Sequence, residues 1–292
     1  VPYSGVSAYT TLNPYIIGVL VRSAETNLSL NGIISAAREA NYTVLVAESA
    51  GQEEFELRGI SAFCRHNVSG VLWEPLSSDS LKYADQLSSS GIPFLFFDSD
   101  SIEEALNIDY EQMGYDATMA LIQSSHTELA CLLSSGTRTE RFFRGYRRGL
   151  FDSGIPYQEN MVFQEVNELL IHKITGHTIT GIISSHFKSA LGLYRDLNGV
   201  HYQIPQDLSL VSLRDDSREL TAFPEISTLT IPHFRFGRHI CEQLVALMEN
   251  PEHTLLPFKE QPELDHRATI GIPFTKRSQP IIVVGSINID TY

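Results

Sequence analysis

Tyr15-Ile-Ile-Gly-Val-Leu-Val21 and the segment that follows it, Leu30–Asn41, decide the fold. The first is a short apolar run that predicts a β-strand. The second places Ile33, Ile34, Ala37 and Ala40 at helical spacing, which predicts an amphipathic helix with these side chains on its buried face. A strand, a helix and then a further apolar run predict a β-α-β unit with a right-handed crossover.

The same alternation continues along the chain in two series. The first series predicts strands at 43–47, 70–75 and 93–97, a short one at 107–109, and helices at 52–66, 81–89 and 114–124. The second predicts strands at 129–133, 181–185, 208–213, 226–231 and 268–272, with helices at 140–151, 188–197 and 234–248. Because no Pro/Gly/Ser-rich linker separates the two series, we expect an α/β fold of two intimately joined subdomains, each with a mostly parallel sheet.

Composition excludes several classes of protein. The 292 residues carry 35 acidic and 21 basic side chains, a formal charge of −14, which disfavours a DNA-binding surface because such a surface needs Lys and Arg against phosphates. No apolar run approaches the roughly 18 residues of a membrane helix. The three cysteines, Cys64, Cys131 and Cys241, are odd in number and widely spaced, so we expect reduced, buried thiols in a soluble cytoplasmic protein.

The order of these elements resembles the effector-binding core of the lactose-repressor (LacI) family of bacterial regulators, which is itself similar to periplasmic sugar-binding proteins. The resemblance runs from about Tyr15 to Pro273. It is carried by Ile17–Val21, Gly32–Tyr42, Gly145–Gly154, Ala190–Gly192, Ile204–Val211, Ser227–Pro232 and Gly237-Arg238. It implies two doubly wound parallel-sheet subdomains joined by a hinge, with subdomain 1 at about 15–126 and 233–250 and subdomain 2 at about 127–232 and 251–274.

Both ends of the chain fit a longer parent protein. Residues 1–14 lie where such regulators have the hinge after a DNA-binding headpiece, and 275–292 are predicted to be a linker and the start of a further domain. Gly285-Ser-Ile-Asn-Ile-Asp290 resembles the opening turn of the ribokinase (PfkB) family, in which Asn288 and Asp290 would bind sugar hydroxyls. The alternative is a terminal strand that pairs with the edge of the preceding domain.

Two carboxylates in the first series are candidate sugar ligands. Ligands of doubly wound sheets sit beyond the carboxyl ends of the strands, here in the cleft between the subdomains. Asp98 ends an apolar strand, where a carboxylate binds a ligand or caps a loop. Asp109 aligns with a sugar-binding carboxylate of the family, and the alternative role is the N-cap of the following helix.

The second series supplies cationic and aromatic candidates. Arg138 and Arg141 lie near the arginine that clamps the ligand in the family, although the aligned position is Phe142; Arg147 and Arg148 are expected to be solvated. His186-Phe187 replaces the family's Asn-Asp pair, so that the imidazole would bind a hydroxyl and the ring would stack, unless His186 is purely structural.

Arg214-Asp215 occupies the family's acidic pair. A guanidinium at the first of these positions favours an anionic ligand. The alternative is an Arg–Asp surface pair.

The resemblance implies a ligand-sensing domain that binds a small carbohydrate, phosphorylated and acidic sugars included, and controls DNA binding by an attached headpiece in a homodimer. No membrane partner or cofactor is expected. The sequence lacks a Gly-x-Ser-x-Gly elbow, a His-Glu-x-x-His pair and a Walker loop, so we do not expect an enzyme. Two alternatives stay open: a truncated regulator–kinase fusion whose parent phosphorylates a ribose-like sugar, and an exported sugar-binding protein.

Overall fold

The computed structural model describes residues 15–136, 138–199, 202–215, 226–260 and 262–277. The hinge predicted at 1–14 and the kinase-like segment 280–292 lie outside these ranges. The described residues form two compact units. Unit 1 contains those up to Tyr110, Asp215 and those of Thr230–Glu263. Unit 2 contains those of Glu111–Arg214, of Ala222–Leu229 and from Leu264 onward.

Unit 1 is built on a four-stranded parallel sheet with the strand order β2-β1-β3-β4. Its strands are β1 (Ile16–Val21), β2 (Thr43–Glu48), β3 (Gly70–Trp73) and β4 (Phe94–Phe96). Its helices are α1 (Leu30–Glu39), α2 (Glu53–Arg65), α3 (Ala84–Ser89) and α8 (His233–Glu249), with a 3-10 turn at Ser78–Tyr83. The sequence predicted each of these strands and helices to within a few residues, because their apolar runs are long and regular.

The core of unit 1 surrounds Trp73, the single tryptophan of the chain, which is fully buried. Its indole Nε1 donates to Glu56 Oε1 at 2.9 Å. The same carboxylate accepts from the backbone N of Leu76 at 3.1 Å and from Ser80 Oγ at 2.9 Å. Glu56 is 1% exposed, so this buried charge is stabilised by three donors from different segments.

Helices α1 and α8 pack with their backbones in close contact at two glycines. A Cβ on Gly32 would lie 2.0 Å from the carbonyl oxygen of Phe234, and a Cβ on Gly237 would lie 2.0 Å from that of Ser29. Arg238 adds a bidentate ion pair with Glu39, 199 residues earlier in the chain, at 2.6 and 2.8 Å. No side chain larger than hydrogen fits at either glycine.

One detail of the α1 prediction was wrong. The buried residues of this helix are Gly32, Ile33, Ala36 and Ala37. Ile34, assigned to the core by its spacing, is 41% exposed. The contact of Gly32 with α8 turns the buried face toward that glycine, so that Ile34 falls on the outer side of the helix.

Unit 2 holds a six-stranded sheet with the order β10-β9-β8-β7-β5-β6. Its strands are β5 (Leu129–Leu132), β6 (Val162–Phe163), β7 (Gly181–Ser184), β8 (Ser209–Asp215), β9 (Ser227–Ile231) and β10 (Leu264–Asp265). Its helices are α4 (Tyr110–Gln123), α5 (Thr139–Asp152), α6 (Glu168–Thr175) and α7 (Phe187–Gly199). Strands β5 to β8 pair in parallel and β10 pairs antiparallel to β9, which confirms the predicted α/β class with mainly parallel sheets.

The strand predicted at 268–272 is not formed. Thr269, 1% exposed, lies in a turn, and its Oγ1 donates to Leu210 O at 2.6 Å and accepts from Ser227 N at 2.8 Å. A buried side chain thus makes two of the hydrogen bonds of this segment, and its backbone keeps one, from Leu210 N to Thr269 O at 2.8 Å. The short strand of this region is instead Leu264–Asp265.

The contacts assign α4 to unit 2 from Glu111 onward, whereas the sequence led us to expect a boundary near residue 126. Two glycines explain the assignment. A Cβ on Gly114 of α4 would lie 2.2 Å from Phe142 O, and a Cβ on Gly145 of α5 would lie 2.0 Å from Glu111 O. Helix α4 therefore packs on α5 as closely as α1 packs on α8.

Candidate functional site

The carboxyl ends of the unit 1 strands carry a group of charged residues. Arg22 follows β1, Glu74 follows β3 and Asp98 lies just beyond β4. Ligands of α/β sheets sit beyond this edge. Glu74 is 6% exposed, and its Oε2 accepts from the backbone N of Arg22 at 3.1 Å and from Asn27 Nδ2 at 3.0 Å. Burial, and then the charge of Asp98, raise the pKa of Glu74.

The Arg22 side chain is held on the same edge. Its Nη2 and Nε donate to Pro75 O at 2.8 and 3.3 Å, and Nε lies 3.5 Å from Glu74 Oε1. The positive charge of Arg22 therefore lies beside the Glu74 carboxyl group.

Asp98 and Asp109 lie at the two ends of one loop of unit 1, between β4 and α4. Asp98 is half-buried with φ 49°, a left-handed conformation that is uncommon outside glycine and that clusters at functional sites. Its N–H donates to Leu106 O at 3.0 Å. Asn107 fixes the loop by accepting from Ser99 N and donating to Ser99 O, both at 2.9 Å. Asp109 is exposed and directly precedes α4, so its ligand and helix-cap roles both stay predictions.

Asp215 has a partner that the sequence did not indicate. His233 Nε2, on the first residue of α8, lies 3.0 Å from Asp215 Oδ1, and both residues belong to unit 1. Arg214 is half-buried and belongs to unit 2. The two neighbours in sequence thus contribute opposite charges to different units.

The corresponding edge of unit 2 brings Arg138 and His186 together. Arg138 Nε donates to His186 Nε2 at 3.2 Å, and His186 Nδ1 lies 2.8 Å from Ser185 Oγ. Since Nε2 accepts, the proton of the neutral ring must be on Nδ1, which donates to Ser185 Oγ. That oxygen also accepts from Ser134 N at 3.0 Å, so its own proton is left to donate. A cation, a neutral imidazole and hydroxyls are therefore ordered at this edge.

The two remaining candidates are buried beside this group. Arg141 is 6% exposed in the first turn of α5, and Phe187 is 5% exposed as the first residue of α7. Ser134 Oγ and Ser189 Oγ are 2.5 Å apart, which ties the loop after β5 to α7. Gly136 lies close to His186, since a Cβ there would make a tight contact of 3.2 Å with His186 Nε2.

The sequence reasoning missed Arg22, Asn27, Glu74, Ser134 and Ser185. A usable signal existed for Arg22, which directly follows the predicted strand Tyr15–Val21, and for Glu74, a charged residue near the end of the predicted strand 70–75. The serines carried no such signal, because serine is common in loops of every kind. Across the described ranges, no group of three or more His, Cys, Asp or Glu side chains is arranged to hold a metal ion, and no helix is long and apolar enough to cross a membrane.

Comparison with known proteins extends these observations. The family model for the periplasmic binding protein-like domain matches residues 118–270. The HTH-type transcriptional repressor PurR of Vibrio atlanticus is 27% identical over 275 residues, which cover 87% of this chain and 80% of that protein.

Two solved structures share the fold. A sugar-binding transcriptional regulator of the LacI family from Escherichia coli, complexed with phosphate, superposes with a TM-score of 0.74 at 17% identity, covering 89% of this chain and 99% of that one. The CelR–cellobiose complex gives 0.72 at 20% identity, covering 87% and 84%.

The matched residues 118–270 are more than half of the 292. The relatives are transcription regulators and not enzymes. The chain therefore belongs to the family of periplasmic binding protein-like domains.

Proposed function

We propose that this domain senses a sugar that carries an anionic group, a sugar phosphate or a sugar acid, and thereby controls the operator affinity of a DNA-binding headpiece in the parent protein. The observation that carries the proposal is the presence of several carboxylates in unit 1, where Arg22 lies beside Glu74, and of three candidate arginines in unit 2. The carboxylates Glu74, Asp98, Asp109 and Asp215 belong to unit 1, whereas Arg138, Arg141 and Arg214 belong to unit 2.

Each kind of side chain recognises one kind of chemical group on such a ligand. Carboxylates accept hydrogen bonds from sugar hydroxyls, and arginines bind phosphate or carboxylate groups through charge-assisted hydrogen bonds. The related regulators support both halves, because one was crystallised with phosphate and another with cellobiose. Ligand binding would change DNA affinity only if the ligand has different affinities for two states of the domain.

Thermal denaturation with a ligand panel tests the proposal. The panel contains pentoses, hexoses, their phosphates and the corresponding sugar acids. A ligand at 100 times its Kd is expected to add about 2.7 kcal/mol of stability. We expect a phosphorylated or acidic sugar to raise the melting temperature more than its neutral parent does. A panel in which only neutral sugars act would contradict the anionic part of the proposal, and a panel without any active sugar would contradict carbohydrate sensing.

Arg138→Gln is expected to weaken binding of the anionic ligand by about 10- to 100-fold, the value of a hydrogen bond to a charged group. The affinity for the neutral parent sugar should fall far less. Asp98→Asn should weaken both ligands alike, because the carboxylate serves the shared hydroxyls. Arg58→Gln is the matched control, on an exposed arginine of α2 paired with Glu54. Isothermal titration of the four proteins decides the point, and equal losses for both ligands in Arg138→Gln would contradict it.

We further propose that the domain acts as a homodimer in the cytoplasm, where its DNA target lies. Operator DNA would be bound only by the headpiece, since this chain is strongly acidic. Sedimentation velocity of the purified chain should give the mass of two copies. A monomer at every concentration would contradict the dimer.

A further inference from the structure

A groove separate from the ligand candidates runs along the outer side of α5 in unit 2. One wall consists of Arg144, Arg147, Arg148 and Phe151, and the other is the loop Gly154–Tyr157. Its volume is about 560 Å³. We name it the α5 groove. Its helical wall extends over eight residues, Arg144 to Phe151, and hence about 10 Å, the span of three extended residues of another chain.

The α5 groove exposes large apolar side chains to water. Phe151 is 82% exposed, the highest value for a large hydrophobic residue in the described part of the chain, and Tyr157 is 43% exposed. Neighbouring exposed aromatic side chains of this kind mark interaction surfaces, because their burial against a partner recovers hydrophobic free energy.

The groove also concentrates positive charge. Glu111 pairs with both Arg144, at 3.3 Å, and Arg148, at 3.2 Å, so that one carboxylate serves two guanidinium groups. Arg147 lies over the rings of Tyr157 and Phe143, at 5.3 and 5.9 Å from their centroids. Within the described ranges no carboxylate forms an ion pair with Arg147. A chain of formal charge −14 thus presents a local patch of opposite sign.

We propose that the α5 groove is a docking surface for an acidic segment of another protein that carries one apolar anchor residue. The anchor would pack on Phe151 and Tyr157, and flanking Asp or Glu side chains would pair with Arg147 and Arg144. Arginine and aromatic residues are enriched in protein interfaces, and stacking on the rings pre-orders the Arg147 guanidinium for carboxylates. The surplus of positive charge on the groove favours an acidic partner over a neutral one.

Selection from a random twelve-residue peptide display library tests the proposal with the whole chain as bait. We expect enriched peptides to carry several Asp or Glu residues around one Leu, Phe or Trp. Arg147→Glu should weaken the binding of these peptides at least about tenfold, as expected when the charge of a paired contact is reversed. Phe151→Ser should also weaken the binding of the peptides, because it removes the apolar contact for the anchor residue. Arg58→Glu is the matched charge reversal on α2 and should leave binding within about twofold.

Two controls make the result decisive. Melting temperatures of Arg147→Glu and Arg58→Glu should equal that of the unchanged protein, which excludes loss of folding. Raising the salt from roughly 0.05 to 0.5 M should weaken binding, because the charges are exposed. Selected peptides without acidic enrichment, or with undiminished binding to Arg147→Glu, would overturn the proposal. It would also be overturned if Arg147→Glu abolished self-association instead, since the occupant would then be a second copy.

Discussion

Gly237→Val is expected to lower the free energy of unfolding of unit 1 by about 3 kcal/mol, the upper range for overpacking a closed contact. A Cβ at this position would lie 2.0 Å from the backbone oxygen of Ser29, and backbone atoms cannot move aside as a flexible side chain can. Helices α1 and α8 would have to separate, with loss of the packing around Ile33 and Ile240, both fully buried.

Urea unfolding followed by Trp73 fluorescence measures this effect, since the single tryptophan lies in the core of unit 1. Gly192→Ala is the control, because a Cβ there meets nothing within 4 Å. Alanine in a helix should be neutral or stabilise by up to about 1 kcal/mol. An unchanged unfolding midpoint in Gly237→Val would show that α1 and α8 do not pack as described.

Glu56→Ala is expected to destabilise unit 1 by about 3–5 kcal/mol. The carboxylate accepts from Trp73 Nε1, Leu76 N and Ser80 Oγ, and its loss leaves these buried donors without their acceptor, at about 1–3 kcal/mol for each group. The cavity left by the side chain adds to the loss. The emission of Trp73 should also change, since its indole N–H loses its partner.

Two further variants serve as controls for Glu56→Ala. Glu56→Gln keeps one acceptor oxygen and should lower the free energy of unfolding less than Glu56→Ala does. Glu54→Ala removes an exposed carboxylate from the same helix and should cost within about 0.5 kcal/mol, as its ion pair with Arg58 is on the surface. If Glu56→Ala were no more destabilising than Glu54→Ala, the buried network would contribute nothing.

The alternation of strands and helices could be predicted because most elements have long apolar faces. The elements that were missed lack this signal. Helix α6 buries only Leu170 and Ile174, and β6 has two residues. Asn167, whose Oδ1 accepts from Leu170 N at 2.9 Å, was the one available sign of the α6 start. The false strand at 268–272 had the right composition, but the side chain of Thr269 makes two of the hydrogen bonds that hold this segment.

The candidate site was predictable only in part. Resemblance to a family pointed to positions such as Arg138 and His186, which are 48 residues apart, but not to the hydrogen bond between them. His186 is also held by Ser185 and lies close to Gly136, and neither contact follows from residue spacing. The pairing of Asp215 with His233 likewise required the three-dimensional positions of β8 and α8.

The contact between α1 and α8 has a consequence for the order of synthesis. Arg238 and Glu39, which this contact brings together, are separated by 199 residues. After α1 has been synthesised, the ribosome must add nearly the whole of unit 2 before α8 emerges. Unit 1 therefore completes its core only after its neighbour in the chain has been made, and until then the Gly32 face of α1 stays uncovered. A nascent or cleaved chain that ends before residue 230 would expose this face to chaperones and proteases.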